Sequence, residues 1–170
     1  MDQRGLETTS FEDFVSREQG ALLRLAVLLA GDRGHAEDLV QTALLATYRH
    51  WDRVSGRGDP TAYVRRAVVT AHTSWRRRLS STEQVVETVP DRPGPADVAD
   101  GDEELRAALR TLPPRMRAAV VLRYLEDLSE ADTAAVLGCS VGTVKSAVHR
   151  GVARLREALG AVPAREGMTS

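Results

Sequence analysis

The stretch SEADTAAVLGCSVGTVKSAVHRGVARLREAL, residues 129–159, holds the clearest structural pattern of this chain. Ser129 and Asp132 form a variant of the capping box at the start of a short helix, and Gly138 is a typical helix stop. Ser140 then caps a longer helix. The apolar residues of this longer helix recur at steps of three and four: Val141, Val144, Val148, Val152 and Leu155. A short helix, a turn that contains glycine and a longer helix together predict a helix-turn-helix.

The side of the longer helix that faces away from the valines is polar. It carries Thr143, Lys145, Ser146, His149 and Arg150, with Arg154 one turn further on. Hydroxyls, cations and an imidazole can meet base edges and phosphates in a major groove. An ordinary helical hairpin with a solvated face is the alternative interpretation of this pattern.

Helical signals continue towards the N-terminus. A helix over about 102–112 stops at two prolines, and the next begins on them and runs to about residue 126. Nearer the N-terminus, apolar spacing predicts a first helix from Phe11, ended by Gly31, and a second one, capped by Asp32 and ending near Trp51. The apolar stripe of the second helix is Ala36, Leu39, Val40, Ala43, Leu44 and Tyr48.

A third helix of this N-terminal part is predicted to start at Pro60, with Asp59 as its cap. Its core-facing residues are expected to be Tyr63, Val64, Ala67, Val68 and Ala71. The segment SWRRR, residues 74–78, places an aromatic ring beside three arginines, a combination that stacks on unpaired bases and holds a single strand. A tryptophan that faces the core, next to a solvated helix end, explains the segment SWRRR equally well.

Charge is distributed unevenly along the chain. The 170 residues include 23 basic and 24 acidic side chains, a net charge of −1 that by itself argues against nucleic acid. Residues 60–80, however, contain five arginines and no acid, whereas residues 81–104 contain eight acids, one arginine and three prolines. The first segment predicts a basic surface, and the second predicts a flexible linker that is either a solvated spacer or an acidic mimic of nucleic acid. The linker spans at most about 80 Å when extended.

The expected architecture is all-α, with two small helical domains joined by this linker. We place the domains at residues 10–80 and 104–160, and the linker at 81–103. Only 4% of the residues are aromatic, and the abundance of alanine and leucine favours helices over strands.

Several classes of protein are disfavoured. Cys139 is the single cysteine, which fits a reducing compartment, and no apolar run is long enough for a membrane span or a secretory signal. The histidines are scattered without metal-binding or catalytic spacing. We therefore expect a cytoplasmic protein that is not an enzyme, has no metal or other cofactor and no small-molecule substrate, and is not inserted into a membrane.

Three blocks, residues 35–54, 59–78 and 112–159, resemble conserved segments of bacterial RNA polymerase sigma factors. The blocks are HAEDLVQTALLATYRHWDRV, DPTAYVRRAVVTAHTSWRRR and LPPRMRAAVVLRYLEDLSEADTAAVLGCSVGTVKSAVHRGVARLREAL. The resemblance is to the extracytoplasmic-function type, and most of all to its SigE-like branch. It implies a protein that binds core RNA polymerase and directs initiation at promoters with −10 and −35 elements, and for which an anti-sigma factor is a further expected partner.

The resemblance also implies roles for single residues. Contacts to the clamp helices of the polymerase β′ subunit are expected from Asp38, Gln41, Leu44 and Tyr48. Contacts to the −10 element are expected from Tyr63, Arg65, Arg66, Thr70, Trp75, Arg76 and Arg77, with a place for a flipped base in the loop 55–59. The −35 element is expected to meet Thr143, Lys145, Ser146, His149 and Arg150, in a domain that also binds the β flap.

This sequence departs from the family pattern at Thr42, where glutamate is usual, and at Thr70, where asparagine is common. The two departures imply altered polymerase affinity and −10 preference. Two alternatives belong to other functional classes: a stand-alone helix-turn-helix regulator that binds duplex DNA as a homodimer, and a purely structural helical adaptor.

Overall fold

The computed structural model describes residues 9–81 and 100–160, and within those ranges it contains eight helices and no strand. The chain divides into two compact units between Arg92 and Pro93. The expectation of two helical domains is confirmed. Most of the predicted linker and the C-terminal tail, residues 161–170, lie outside the described residues.

The N-terminal unit consists of α1 (Phe11–Ala30), α2 (Arg33–Tyr48), α3 (Trp51–Ser55) and α4 (Pro60–Ser81). The predicted end of α1 and start of α2 are confirmed. Gly31 ends α1 in the left-handed conformation at φ 77°, and Asp32 accepts a hydrogen bond from the His35 N–H at 2.8 Å. Asp59 accepts a bond from the Thr61 N–H at 2.9 Å, where α4 begins. These local bonds satisfy amide groups that the first turn of a helix leaves unpaired.

The core of this unit lies among α1, α2 and α4. Its larger buried side chains are Phe14, Leu22, Leu25, Leu29, Leu39, Val40, Val64, Val68 and Val69. The expectation that Tyr63 faces the core is wrong, since its side chain is 46% exposed. On α4 the buried positions run along Val64, Val68 and His72, one turn apart, and this line leaves Tyr63 at the edge of the packed face.

An aromatic cluster changes the path of the chain after α2. Trp51 was expected at the end of α2, but the helix ends at Tyr48 and Trp51 begins the separate helix α3. Trp51 is buried against Phe11 and Phe14, with ring centroids 5.2 Å apart in both pairs, and its Nε1–H donates to the Thr9 carbonyl at 3.1 Å. The break in the helix therefore lets Trp51 tie the start of α1 to α3.

Tyr48 lies at the edge of the same cluster. Its ring is 4.9 Å from that of Phe11, yet the side chain remains 58% exposed and so belongs only in part to the predicted apolar stripe.

The C-terminal unit consists of α5 (Asp100–Arg110), α6 (Pro114–Tyr124), α7 (Glu130–Leu137) and α8 (Val141–Gly160). Helix α6 is its centre, because every residue from Met116 to Leu122 is buried. Leu109, Leu112, Val144 and Leu155 complete the core around it. Of the predicted apolar repeat on α8, Val141 departs most, since it stands at the first position of the helix and is 39% exposed.

At Gly151, α8 packs tightly against α6. A Cβ atom built on Gly151 would lie 2.6 Å from Cγ2 of Val120 and 3.1 Å from Cγ of Met116. Glycine lowers helix propensity, so its presence in the middle of α8 is explained by this packing rather than by local preference.

Candidate nucleic-acid interface

The helix-turn-helix comprises α7, the turn of residues 138–140 and α8. Gly138 takes the left-handed conformation at φ 64°, and the Cys139 N–H donates to the Ala134 carbonyl at 3.1 Å. At the other end of the turn, the Ser140 Oγ accepts a hydrogen bond from the Thr143 N–H at 3.1 Å. Each predicted cap is therefore in place, and together they define the turn between the two helices.

The five residues of α8 that the resemblance assigns to the −35 element lie on one exposed face. They are Thr143, Lys145, Ser146, His149 and Arg150. Val144 and Gly151 are buried on the opposite side of the helix. Arg150 Nε donates to the Ser146 carbonyl at 3.3 Å, so the guanidinium is drawn back along the helix in the unbound protein.

Lys145 makes an ion pair across the helix-turn-helix. Its Nζ lies 3.7 Å from Oε2 of Glu130 on α7, and the two side chains are 62% and 40% exposed. Lys145 is also the only lysine in the chain. A carboxylate thus stands beside one of the cations that the resemblance assigns to the −35 element.

Helix α4 separates its seven candidate residues into two groups. Tyr63, Arg66, Thr70 and Arg77 are exposed, and their spacing of three, four and seven residues places them along one face. Arg65, Trp75 and Arg76 are half-buried. The first group forms an aromatic and basic stripe, whereas the second lies nearer the body of the unit.

Trp75 and Arg76 form part of a small cluster with His35 of α2. The His35 and Trp75 ring centroids are 3.6 Å apart with 37° between the planes, and the Arg76 Cζ is 5.8 Å from the Trp75 ring centroid. Burial lowers the pKa of Arg76. Burial also lowers the pKa of His35, an effect that outweighs the opposing fields of Asp38 and Asp32. The sequence had identified Trp75 and Arg76, but His35 shows no signal that would reveal its contact with a residue forty positions away.

The exposed face of α2 contains the residues that the resemblance assigns to polymerase. Asp38, Gln41 and Tyr48 are exposed, and Leu44 is half-buried. Leu45 is 66% exposed and was not identified from the sequence. Leu45 completes a stripe of positions 38, 41, 45 and 48, spaced three, four and three residues apart. The helical period alone was therefore sufficient to identify Leu45 from the sequence.

Among residues 9–81 and 100–160, no group of three or more His, Cys, Asp and Glu side chains is arranged to hold a metal ion. Over that same part of the chain, none of the helices combines the length and the apolar character needed to cross a membrane.

Two family models match the chain, one in each compact unit. "Sigma-70 region 2" matches residues 14–82, and "Sigma-70, region 4" matches residues 102–155. The RNA polymerase sigma-E factor of Streptomyces avermitilis is 43% identical over 159 residues, which cover 90% of this chain and 87% of that protein. The ECF RNA polymerase sigma factor EcfG of Rhodopseudomonas palustris is 31% identical, over 87% of this chain and 84% of that one.

A solved structure is similar as well. The sigma factor RpoE of Bartonella quintana, crystallised in complex with the anti-sigma factor NepR, superimposes with a TM-score of 0.63 and is 27% identical. The match covers 89% of this chain and 98% of that one.

Proposed function

The chain belongs to the sigma-70 family of bacterial RNA polymerase sigma factors, in its extracytoplasmic-function type, and from this membership we propose which surfaces perform each step of initiation. As a sigma factor, the protein binds core RNA polymerase and directs transcription to promoters. It supplies promoter specificity, and the polymerase carries out the nucleotide chemistry in the cytoplasm where both work.

Core binding is assigned to the stripe on α2. Asp38, Gln41, Leu45 and Tyr48 offer a carboxylate, an amide, an aliphatic side chain and a ring on one exposed face, with Leu44 at its edge. Exposed apolar side chains rimmed by polar ones are typical of protein interfaces. We assign this surface to the β′ clamp helices.

Recognition of the −10 element is assigned to α4, within the domain of residues 10–80. The stripe of Tyr63, Arg66, Thr70 and Arg77 can follow a single strand, since its cations meet phosphates and its ring stacks on a base. Arg65, Trp75 and Arg76 support the same surface from its buried side. The loop 55–59, which ends at Asp59 just before α4, is the proposed place for a flipped base.

Recognition of the −35 element is assigned to α8, within the domain of residues 104–160, which also meets the β flap. The observation that carries this assignment is the exposed polar face of the second helix of the helix-turn-helix. This face consists of Thr143, Lys145, Ser146, His149 and Arg150. Such a helix lies in the major groove with its N-terminal residues on base edges. If Arg150 makes a good base contact, Arg150→Ala will weaken −35 recognition by about 1 to 3 kcal/mol, whereas Arg156→Ala on the same helix will not.

An anti-sigma factor is proposed as a further partner. The Bartonella quintana relative was crystallised with a protein of that class. A co-purification screen with the sigma factor as bait tests this proposal.

The decisive experiment reconstitutes the protein with core polymerase. We expect one-to-one binding, strand opening on a cognate promoter, and recovery of paired −10 and −35 elements when bound sites are selected from random DNA. Failure to bind core enzyme, or binding to a palindrome as a homodimer without polymerase, would reject the proposal in favour of a stand-alone regulator.

A further inference from the structure

His35 occupies a fixed position at the first turn of α2. The carboxylate of Asp32 accepts a hydrogen bond from the backbone N–H of His35 at 2.8 Å, which holds His35 at the start of the helix. From there the imidazole reaches α4 and stacks on Trp75 with 3.6 Å between ring centroids. At this end of the unit, α2 and α4 therefore contact each other through the rings of His35 and Trp75.

The surroundings of the imidazole favour its neutral form. Its Nε2 is buried and has no hydrogen-bond partner among the described residues. Near the imidazole are Asp32, which caps α2, and Asp38 of α2. Arg76 and the buried His72 belong to α4, and the His72 ring centroid is 6.1 Å from that of Trp75. Burial lowers the pKa of His35, and the nearby Arg76 acts in the same direction. A neutral ring can stack here without adding a second cation beside Arg76.

We propose that His35 is a positioning residue for the −10 surface: its imidazole, stacked on Trp75, holds that ring and the adjacent Arg76 guanidinium in place for the opened strand. The inference rests on the assignment of α4 to the −10 element. A tryptophan side chain that is held before DNA arrives loses less rotational freedom on binding. The stack also lies one helical turn from Asp38, so it joins the helix assigned to polymerase with the helix assigned to DNA.

Three variants in the full-length protein test the proposal. His35→Ala removes the stack, and His35→Phe keeps a ring without a titratable group. His50→Ala is the matched control, because His50 is exposed in the same unit. For each holoenzyme, three quantities are measured: strand opening by permanganate reactivity of unpaired thymines, affinity for core polymerase, and affinity for a −35 duplex.

We expect His35→Ala to reduce strand opening by about 2- to 12-fold, the range for loss of one aromatic pair, with core and −35 affinities unchanged. His35→Phe should restore most of the loss, and His50→Ala should behave as wild type. Wild-type opening by His35→Ala would overturn the proposal. A defect in His35→Phe as large as that in His35→Ala would also overturn it, because a ring at this position would then not be sufficient. An equal fall in all three quantities would overturn it as well, because that result indicates a general structural role.

A spectroscopic measurement tests the stack without DNA. Trp51 and Trp75 are the only tryptophans, so Trp51→Phe leaves Trp75 as a single reporter. On acidification, protonation of His35 should quench Trp75 emission with a midpoint below the ordinary histidine pKa of about 6.5. Adding His35→Phe should abolish the change. Its persistence would show that a group other than His35 causes it and would overturn the stack.

The positioning role of His35 and the assignment of α4 to the −10 element are overturned by different results. If the wild-type holoenzyme does not open promoters while the emission change depends on His35, the assignment of α4 to the −10 element fails and the ring contact stands. If the promoter opens normally in wild type and in His35→Ala, the function stands and the positioning role fails.

Discussion

Gly151 of α8 rests directly against Val120 of α6, so closely that a Cβ atom on the glycine would lie 2.6 Å from the valine Cγ2. Val120 is itself buried in a helix that is buried over most of its length. Neither backbone can therefore withdraw without opening the core of the C-terminal unit. The two residues set how closely α8 packs on α6.

Gly151→Ala should destabilise the C-terminal unit by about 1 to 3 kcal/mol, because overpacking exceeds the gain in helix propensity. Gly142→Ala is the control, since a Cβ there would meet only the Ser140 Oγ at 3.8 Å, and it should be neutral or stabilising. Urea unfolding is followed by circular dichroism. Emission from Trp51 and Trp75 reports the N-terminal unit and should not change. Equal stability of the two alanine variants would contradict the packing argument.

Glu130→Gln should raise affinity for a −35 duplex by about 2- to 5-fold, because it releases Lys145 from a surface ion pair of modest strength. The gain should disappear in a Lys145→Met background, which separates the pair from general repulsion between Glu130 and phosphate. Glu157→Gln, which removes one acid from the C-terminal part of α8, serves as the charge control. Titration by fluorescence anisotropy at fixed salt measures each affinity. The same gain with and without Lys145 would show that the ion pair is irrelevant.

Leu45→Ala should weaken binding to core polymerase by about 5-fold or more, as expected for an exposed apolar side chain near the centre of an interface. Stability should hardly change, because the side chain is 66% exposed in the free protein. Leu159→Ala, at an exposed leucine in the other unit, is the control. Competition for core enzyme against the wild-type protein measures the effect, and an unaltered affinity would exclude Leu45 from the interface.

Asp59→Ala should destabilise the N-terminal unit by about 1 kcal/mol at neutral pH through loss of the α4 cap. Hydrogen bonds from the side chain and backbone of Thr61 lower the pKa of Asp59 below 3.8, so the cap contributes fully above that pH and its contribution is lost as pH falls through the lowered value. The difference between wild type and Asp59→Ala should therefore shrink in acid. Asp59→Asn, which keeps an acceptor but cannot titrate, should retain most of the cap at every pH. Tryptophan emission during urea unfolding at pH 7 and pH 3 provides the comparison.

Local features were predictable from the sequence, and long-range ones were not. Gly31, Asp32, Asp59, Ser129 and Gly138 act where expected because a cap depends on residues three or four positions away. The burial of Trp51, which follows the early end of α2, depends on Phe11 and Phe14 of α1, which lie more than thirty residues upstream.

The candidate site shows the same division. The exposed face of α8 follows from helical periodicity, and so does the stripe on α2 once Leu45 is included. By contrast, the contact of Trp75 with His35 joins two helices and has no local sequence signal. The exposure of Tyr63 reflects which side of α4 the other helices cover.

If each compact unit reads its own DNA element, as proposed, the division of the chain into two units makes promoter choice modular. Free energies from independent sites add, so the preferences for the two DNA elements multiply as independent factors. A chimera that exchanges only the C-terminal unit would then change one preference and keep the other. New promoter combinations can arise by recombination of halves, without redesign of either core.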